Sequence, residues 1–358
     1  MKKTISILLL SFLVAGCYEE IIIPTADKDP VPVLNAQMNN LEEEHTIYLS
    51  ISLLSRLDPF PGASVKVFVN GVLAAEATEV VEDDPWNRTA YAFRAEFKPG
   101  DEVRIEARKD AFSVSSTAIV PPAVPIEAVD TSSVRISYMG EASNYVQVRV
   151  RFNDLPGRSW YGVDNDYLDK WEYFDEEGEI IPEYTTIECP WTGGMETDFD
   201  PVISEGAGKA GGGDIAALLG ATNYYHCFSD DPIQDQECTL RVLLNPYAFY
   251  LSEYRYGGNY VVLPSGEEVD WSTLMSLPCR VQRTCRFRLR SLDFTQYRYL
   301  KALNNLETFG TEVSFLIEPT TLPSNVEGGL GFVGIETVTE VVYARFEREY
   351  GPSDTIYY

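Results

Sequence analysis

Histidine is almost missing from this chain: 358 residues contain two, His45 and His226. That leaves little for a zinc centre built on imidazoles or for a nucleophile paired with a histidine base. His45 follows Glu42-Glu43-Glu44 at the expected start of a strand, and His226 sits between Tyr225 and Cys227 in another expected strand. Both read as structural. The six cysteines form no Cys-x-x-Cys pair, which argues against a zinc ribbon or a thioredoxin-type dithiol. Gly-x-Ser-x-Gly and His-Glu-x-x-His are also absent, so the common hydrolase signatures are missing. The string Gly206-Ala207-Gly208-Lys209-Ala210 has neither the spacing nor the hydroxyl of a phosphate loop. Basic residues are short as well, 28 against 55 acidic, and a net charge of −27 repels nucleic acid and anionic lipid headgroups.

What is present begins at the N-terminus. Met1-Lys2-Lys3 is positive, and the apolar run Ile5 to Val14 is too short for a permanent membrane span, so residues 1–16 read as a signal peptide. Val14-Ala15-Gly16-Cys17 resembles the lipobox of bacterial lipoproteins, in which small residues admit a peptidase and the thiol receives a diacylglycerol. Cys17 is therefore the expected lipidation site. Losing Lys2 and Lys3 with the signal leaves 26 basic against 55 acidic residues, a formal −29, so the lipid rather than surface charge is expected to hold the protein to its membrane. Tyr18-Glu19-Glu20 is similar to the acidic signal that sends Bacteroidetes lipoproteins to the outer-membrane surface; a solvated charge pair is the other reading. Residues 17–30, with Pro24 and Pro30, read as an extended tether. An envelope address permits disulfides. Among the remaining cysteines the short spacings favour Cys227 with Cys238 or Cys279 with Cys285, and an odd count leaves a thiol over.

With 45% hydrophobic and 12% aromatic residues, the body has ample core material, and its length suggests two domains. Ile47 to Leu53 alternates; Val65 to Val69 runs into Asn70-Gly71, a pair suited to a tight hairpin. Phe93, Ala95 and Phe97 alternate before Lys98-Pro99-Gly100-Asp101, and Val103, Ile105 and Ala107 after it. Residues 31–120 thus read as an immunoglobulin-like β-sandwich. Val120-Pro121-Pro122-Ala123-Val124-Pro125 suits a boundary. Residues 121–358 read as a larger β-rich domain, a sandwich or partial barrel, with strands over 134–138, 145–152, 239–244, 260–263, 285–289, 313–317 and 337–346. Phe294, Tyr297, Leu300, Leu303 and Leu306 predict one packed helix, capped by Asp293 or Thr295 and ending before Gly310. Glu205 to Gly213 reads as a loop, closed by a short helix over 215–219.

Two stretches offer ligand-contact candidates. Between Trp160 and Trp191, the aromatics Trp160, Tyr161, Tyr167, Trp171 and Trp191 mix with acids. Such rings suit sugars and amphipathic ligands, though packing of a loop onto a β-core explains them first. In the same region Asp164-Asn165-Asp166 and Asp169 alternate oxygen donors as a calcium loop does, without the glycine and terminal glutamate of an EF-hand. No cofactor is expected beyond that calcium option. The second stretch is Pro323-Ser324-Asn325-Val326-Glu327-Gly328-Gly329-Leu330-Gly331-Phe332, where Asn325 and Glu327 flank flexible backbone; its glycines read first as turn formers.

Together with the lipobox, Pro61-Gly62-Ala63-x-Val65 and the tyrosines at 297 and 299, this Ser-Asn-x-Glu-Gly-Gly-x-Gly run resembles the Bacteroidetes lipoproteins grouped as domain of unknown function 4249. The resemblance covers nearly the whole body. It implies an outer-membrane lipoprotein, non-enzymatic, serving a TonB-dependent receptor in capture of a nutrient or metal chelate, and it names no ligand or catalytic residue. An envelope glycan hydrolase working through carboxylates and an adhesion or structural module are the alternatives.

Overall fold

The computed structural model describes residues 29–53, 56–81, 84–86, 88–138, 141–192, 195–205, 223–251, 260–309 and 322–352. The signal segment, Cys17, the tether up to residue 28, the short helix expected over 215–219 and the strand expected over 313–317 lie outside these residues.

Side chains that alternate between core and solvent build the first half. Its strands are β1 (Val31–Asn39), β2 (Glu44–Leu53), β3 (Arg56–Pro59), β4 (Ser64–Val69), β5 (Val72–Val80), β6 (Thr89–Arg94), β7 (Glu102–Lys109) and β8 (Phe112–Ile119). One sheet runs β1-β2-β6-β5 and the other β5-β4-β7-β8, with β5 passing from one to the other. The inward residues Leu34, Ile47, Leu49, Val65, Val67, Val103 and Ile105 are buried between them. Each such side chain contributes about 1.5–3 kcal/mol on leaving water. Asn70 (φ 52°) and Gly71 (φ 76°) form the expected hairpin turn between β4 and β5.

The second half comprises β9 (Ile126–Tyr138), β10 (Glu141–Asn153), β11 (Trp160–Tyr173), β12 (Thr186–Thr192), β13 (Met195–Glu196), β14 (Cys227–Ser229) and β15 (Glu237–Leu244). Helix α1 (Pro246–Phe249), the hairpin β16 (Tyr260–Val262) with β17 (Glu268–Asp270), α2 (Trp271–Met275), β18 (Cys279–Leu292), α3 (Phe294–Phe309), β19 (Val326–Glu327) and β20 (Leu330–Tyr350) follow. A sheet ordered β12-β11-β18-β20 faces the sheet β13-β15-β10-β9. Val148, Val150 and Phe152 from one meet Tyr161, Val163, Phe287 and Leu289 from the other. The hydrogen-bonded path through the large sheet is open at β12 and β19, so among the described residues the mostly-β fold closes no barrel.

The long strand β20 joins the two halves. Leu330 to Glu336 lie parallel to β1, and Thr337 to Tyr350 lie antiparallel to β18. Just before it, β19 pairs with β8, so the glycine-rich run sits in the first sandwich although it follows the second in sequence. A side chain there would collide with neighbouring backbone: a Cβ on Gly331 (φ 111°) would fall inside the contact distance of the Leu34 carbonyl oxygen.

Several expectations are corrected. Neither favoured disulfide exists. Cys279 and Cys285 stand six residues apart on one strand, about 20 Å by strand rise, far beyond disulfide reach. Cys227 is buried beside α3 whereas Cys238 is buried in the core between the two sheets of the second half. Burial pushes the Cys227 thiol up to about 11 and those of Cys238 and Cys285 up to about 12, so all three are inert at neutral pH. His226 lies in a turn at φ 47° before β14 rather than in a strand.

Candidate functional site

Most of the aromatic candidates on β11 face inward. Tyr161 is fully buried; its hydroxyl donates to Asp154 at 2.5 Å and accepts the Leu155 N–H, and desolvation raises its pKa. Tyr167 is equally buried in the second core, with its phenol pushed up to about 12 by desolvation. Trp171 packs edge-on to Trp271 at 5.9 Å and parallel to Tyr173 and Tyr350. The backbone of Trp191 pairs with Tyr167; its side chain lies outside the described residues. Asn325 acts as a substitute strand, its amide donating to the Val333 carbonyl at 2.7 Å and accepting the Val333 N–H at 2.9 Å. Glu327 pairs with Ser115 at the β19–β8 edge and is exposed. These residues do not converge.

The acids of β11 form no shared cage. Strand alternation puts Asp164 and Asp166 on one face and Asp169 on the other. Each meets an arginine of β18: Asp164 with Arg290, Asp166 with Arg286 and Arg288, Asp169 with Arg283, and three residues further Glu172 with Arg280. Since register sets Asp166 opposite Arg286 and Asp169 opposite Arg283, the ladder neutralises charges that a water-exposed calcium loop would offer to a cation. Among the described residues, no group of three or more histidine, cysteine or carboxylate side chains is placed to hold a metal.

Trp160 is different. It stands at the start of β11, its ring 4.9 Å from that of Phe294 at the start of α3 and 6.4 Å from that of Tyr297. Beside this pair opens a cleft of about 630 Å³, walled by Pro99 and Gly100 from the β6–β7 turn, Ile119 at the end of β8, Val120 to Pro122 from the connector, Leu155 and Pro156, and Ser291 to Phe294. Phe294 and Ile119 are nearly half exposed, which is unusual for large apolar side chains facing one concavity. Trp160 Nε1 is buried and has no hydrogen-bond partner among the described residues. At the rim Arg158 pairs with Asp231 at 3.4 Å. Asp293 caps α3, accepting the Gln296 N–H at 2.7 Å, and burial raises its pKa. Among the described residues, the lining includes no histidine or cysteine and a single carboxylate, Asp293.

Phe294 and Pro121 were not recognisable from sequence as contact residues because each had a structural explanation, a helix stripe and a boundary, and nothing in the sequence singled out Ile119. Only the folded chain shows that the boundary lines one cleft with Trp160 and the helix start that packs on it.

Fold and cleft together define a two-sandwich β-protein carrying an apolar recess where its halves meet. The chain belongs to the family of the domain of unknown function DUF4249, which matches residues 18–341. No curated protein matches it.

Proposed function

We propose that this protein is an outer-membrane lipoprotein, anchored through Cys17 and displayed on the cell surface, that captures a small amphipathic nutrient or metal chelate for a TonB-dependent receptor. The observation that carries the reading is the cleft at Trp160: an apolar, aromatic-edged recess with few polar groups is the usual form of a small-molecule site. Hydrolysis of a glycoside needs two carboxylates flanking the bond, and the cleft lining supplies one. Capture without chemistry is the better match. The lipobox and the acidic Tyr18-Glu19-Glu20 support the address, and the excess of 55 acidic over 28 basic residues supports a lipid rather than electrostatic attachment.

The test is purification of the native, lipidated protein from its own outer membrane. A TonB-dependent receptor is expected to co-purify, and Trp160→Ala with Phe294→Ala is expected to lower uptake of the receptor's cargo while the protein stays at the membrane. Recovery of an isolated monomer from mild detergent, with uptake unchanged in the double variant, would refute the reading.

A further inference from the structure

The outer face of the first sandwich carries a second concavity, of about 500 Å³, distinct from the cleft. Its floor is made of outward-pointing residues of β1 and β2, among them Gln37, Thr46 and Tyr48, whose sequence neighbours Ala36, Ile47 and Leu49 point into the core. One wall is Tyr299 of α3, stacked on Phe332 of β20 at 4.2 Å and only 6° from parallel. Phe294 and Tyr299 are five residues apart, about 140° around the helix, so α3 presents one aromatic to the cleft and another to this groove.

The groove's groups divide into fixed and available ones. The Arg88 guanidinium lies 3.9 Å over the Tyr48 ring and is held by Asp84 through bonds of 3.0 and 2.7 Å. Glu44 is held by Arg94 at 2.8 Å. Gln37, Thr46 and Glu42 make no side-chain hydrogen bond to any described residue. An amide, a hydroxyl and a carboxylate therefore stand ready beside a rigid aromatic wall.

We propose that this groove binds a short uncharged oligosaccharide. An anion meets Glu42 and Glu44 with the nearby arginines already engaged, so it is repelled. An aliphatic chain would bury the three polar groups without partners, at a cost that such sites rarely sustain. A divalent cation finds one free carboxylate where several oxygen ligands are needed. A sugar offers hydroxyls that donate and accept towards Gln37, Thr46 and Glu42, while its C–H face covers aromatic carbon. This inference does not rest on the capture reading, since it concerns different residues and a different ligand chemistry.

Isothermal titration of the full mature chain with maltotriose, cellotriose and N,N′-diacetylchitobiose tests it, with putrescine as the cationic control. At least one saccharide is expected to bind saturably. Thr46→Val and Gln37→Leu, both at outward positions, are expected to weaken it about tenfold each with unchanged thermal unfolding. Trp160→Ala is expected to leave it unchanged, which separates this site from the cleft. The proposal is overturned if no saccharide binds, if putrescine alone binds, or if the saccharide is lost in Trp160→Ala and retained in Thr46→Val and Gln37→Leu.

Discussion

Asp169 and Arg283 show how much a single buried pair can matter here. Their side chains are 4% and 11% exposed, and two parallel bonds of 2.8 and 2.6 Å join them between β11 and β18. Removing one partner leaves the other charge in a poorly solvated place. Asp169→Asn is expected to destabilise the protein by about 3–5 kcal/mol in urea unfolding. The double variant Asp169→Leu with Arg283→Met is expected to recover most of that loss, because two well-packed apolar groups replace an ion pair with little penalty. His226 provides a pH test at the same scale. Burial strips water from its imidazolium and holds the ring at about 4, against an ordinary 6.5. Because the unfolded chain takes the proton first, this contribution is complete above about pH 6.5 and is lost as pH falls from there towards 4. The gap corresponds to up to about 3 kcal/mol at the acid end. His226→Asn keeps a residue that tolerates positive φ, and its unfolding midpoint is expected to drop less between about pH 7 and pH 4 than that of the unaltered chain. Equal drops in both would show that the imidazole is not involved.

At the scale of elements, β20 depends on the backbone freedom that precedes and opens it. Gly331 lets Leu330 to Glu336 lie against β1, and Asn325 ties the turn to Val333. Gly331→Ala is expected to cost about 3 kcal/mol or more, since its methyl meets the Leu34 carbonyl and its φ of 111° disfavours any L side chain. Asn325→Ala removes two bonds from the turn and is expected to cost about 1–3 kcal/mol. Thermal unfolding of the two variants checks both numbers. The turn-forming value of that glycine run was readable from its residues, as were β2, β4, β7 and the Asn70-Gly71 hairpin, because apolar alternation and turn chemistry agree there. A cap for α3 at Asp293 or Thr295 was readable from the residue types, and the fold uses Asp293. β11 was not. Its run Asp164-Asn165-Asp166 with Asp169 has the composition of a solvated loop, and only the arginines of β18, over a hundred residues later, turn it into a central strand. The cleft was half legible: aromatic content singled out Trp160, but nothing local distinguishes it from Tyr161, which points the other way into the core. Strand direction depends on register with β18, which is a long-range property.

At the scale of the whole molecule, the two sandwiches share β20 and a buried knot where it changes partner. Thr337 is the first residue of β20 to pair with β18, is 1% exposed, and donates from Oγ1 to the Pro121 carbonyl at 2.5 Å. Pro121 belongs to the connector between the halves and also walls the cleft. A strand continuous through both sheets transmits the loss of either core to the other, so calorimetry is expected to record one cooperative transition rather than two. Thr337→Val preserves shape and β propensity but leaves the Pro121 carbonyl buried without its donor. A loss of about 1–3 kcal/mol is expected. Its sharper consequence is in cooperativity and ligand binding. With the connector released, the calorimetric peak is expected to broaden or split, and any ligand of the Trp160 cleft to bind more weakly although Thr337 does not line it. A variant that keeps a single sharp peak and full affinity would show that β20 pairing alone couples the halves and that the Thr337–Pro121 bond serves only local packing.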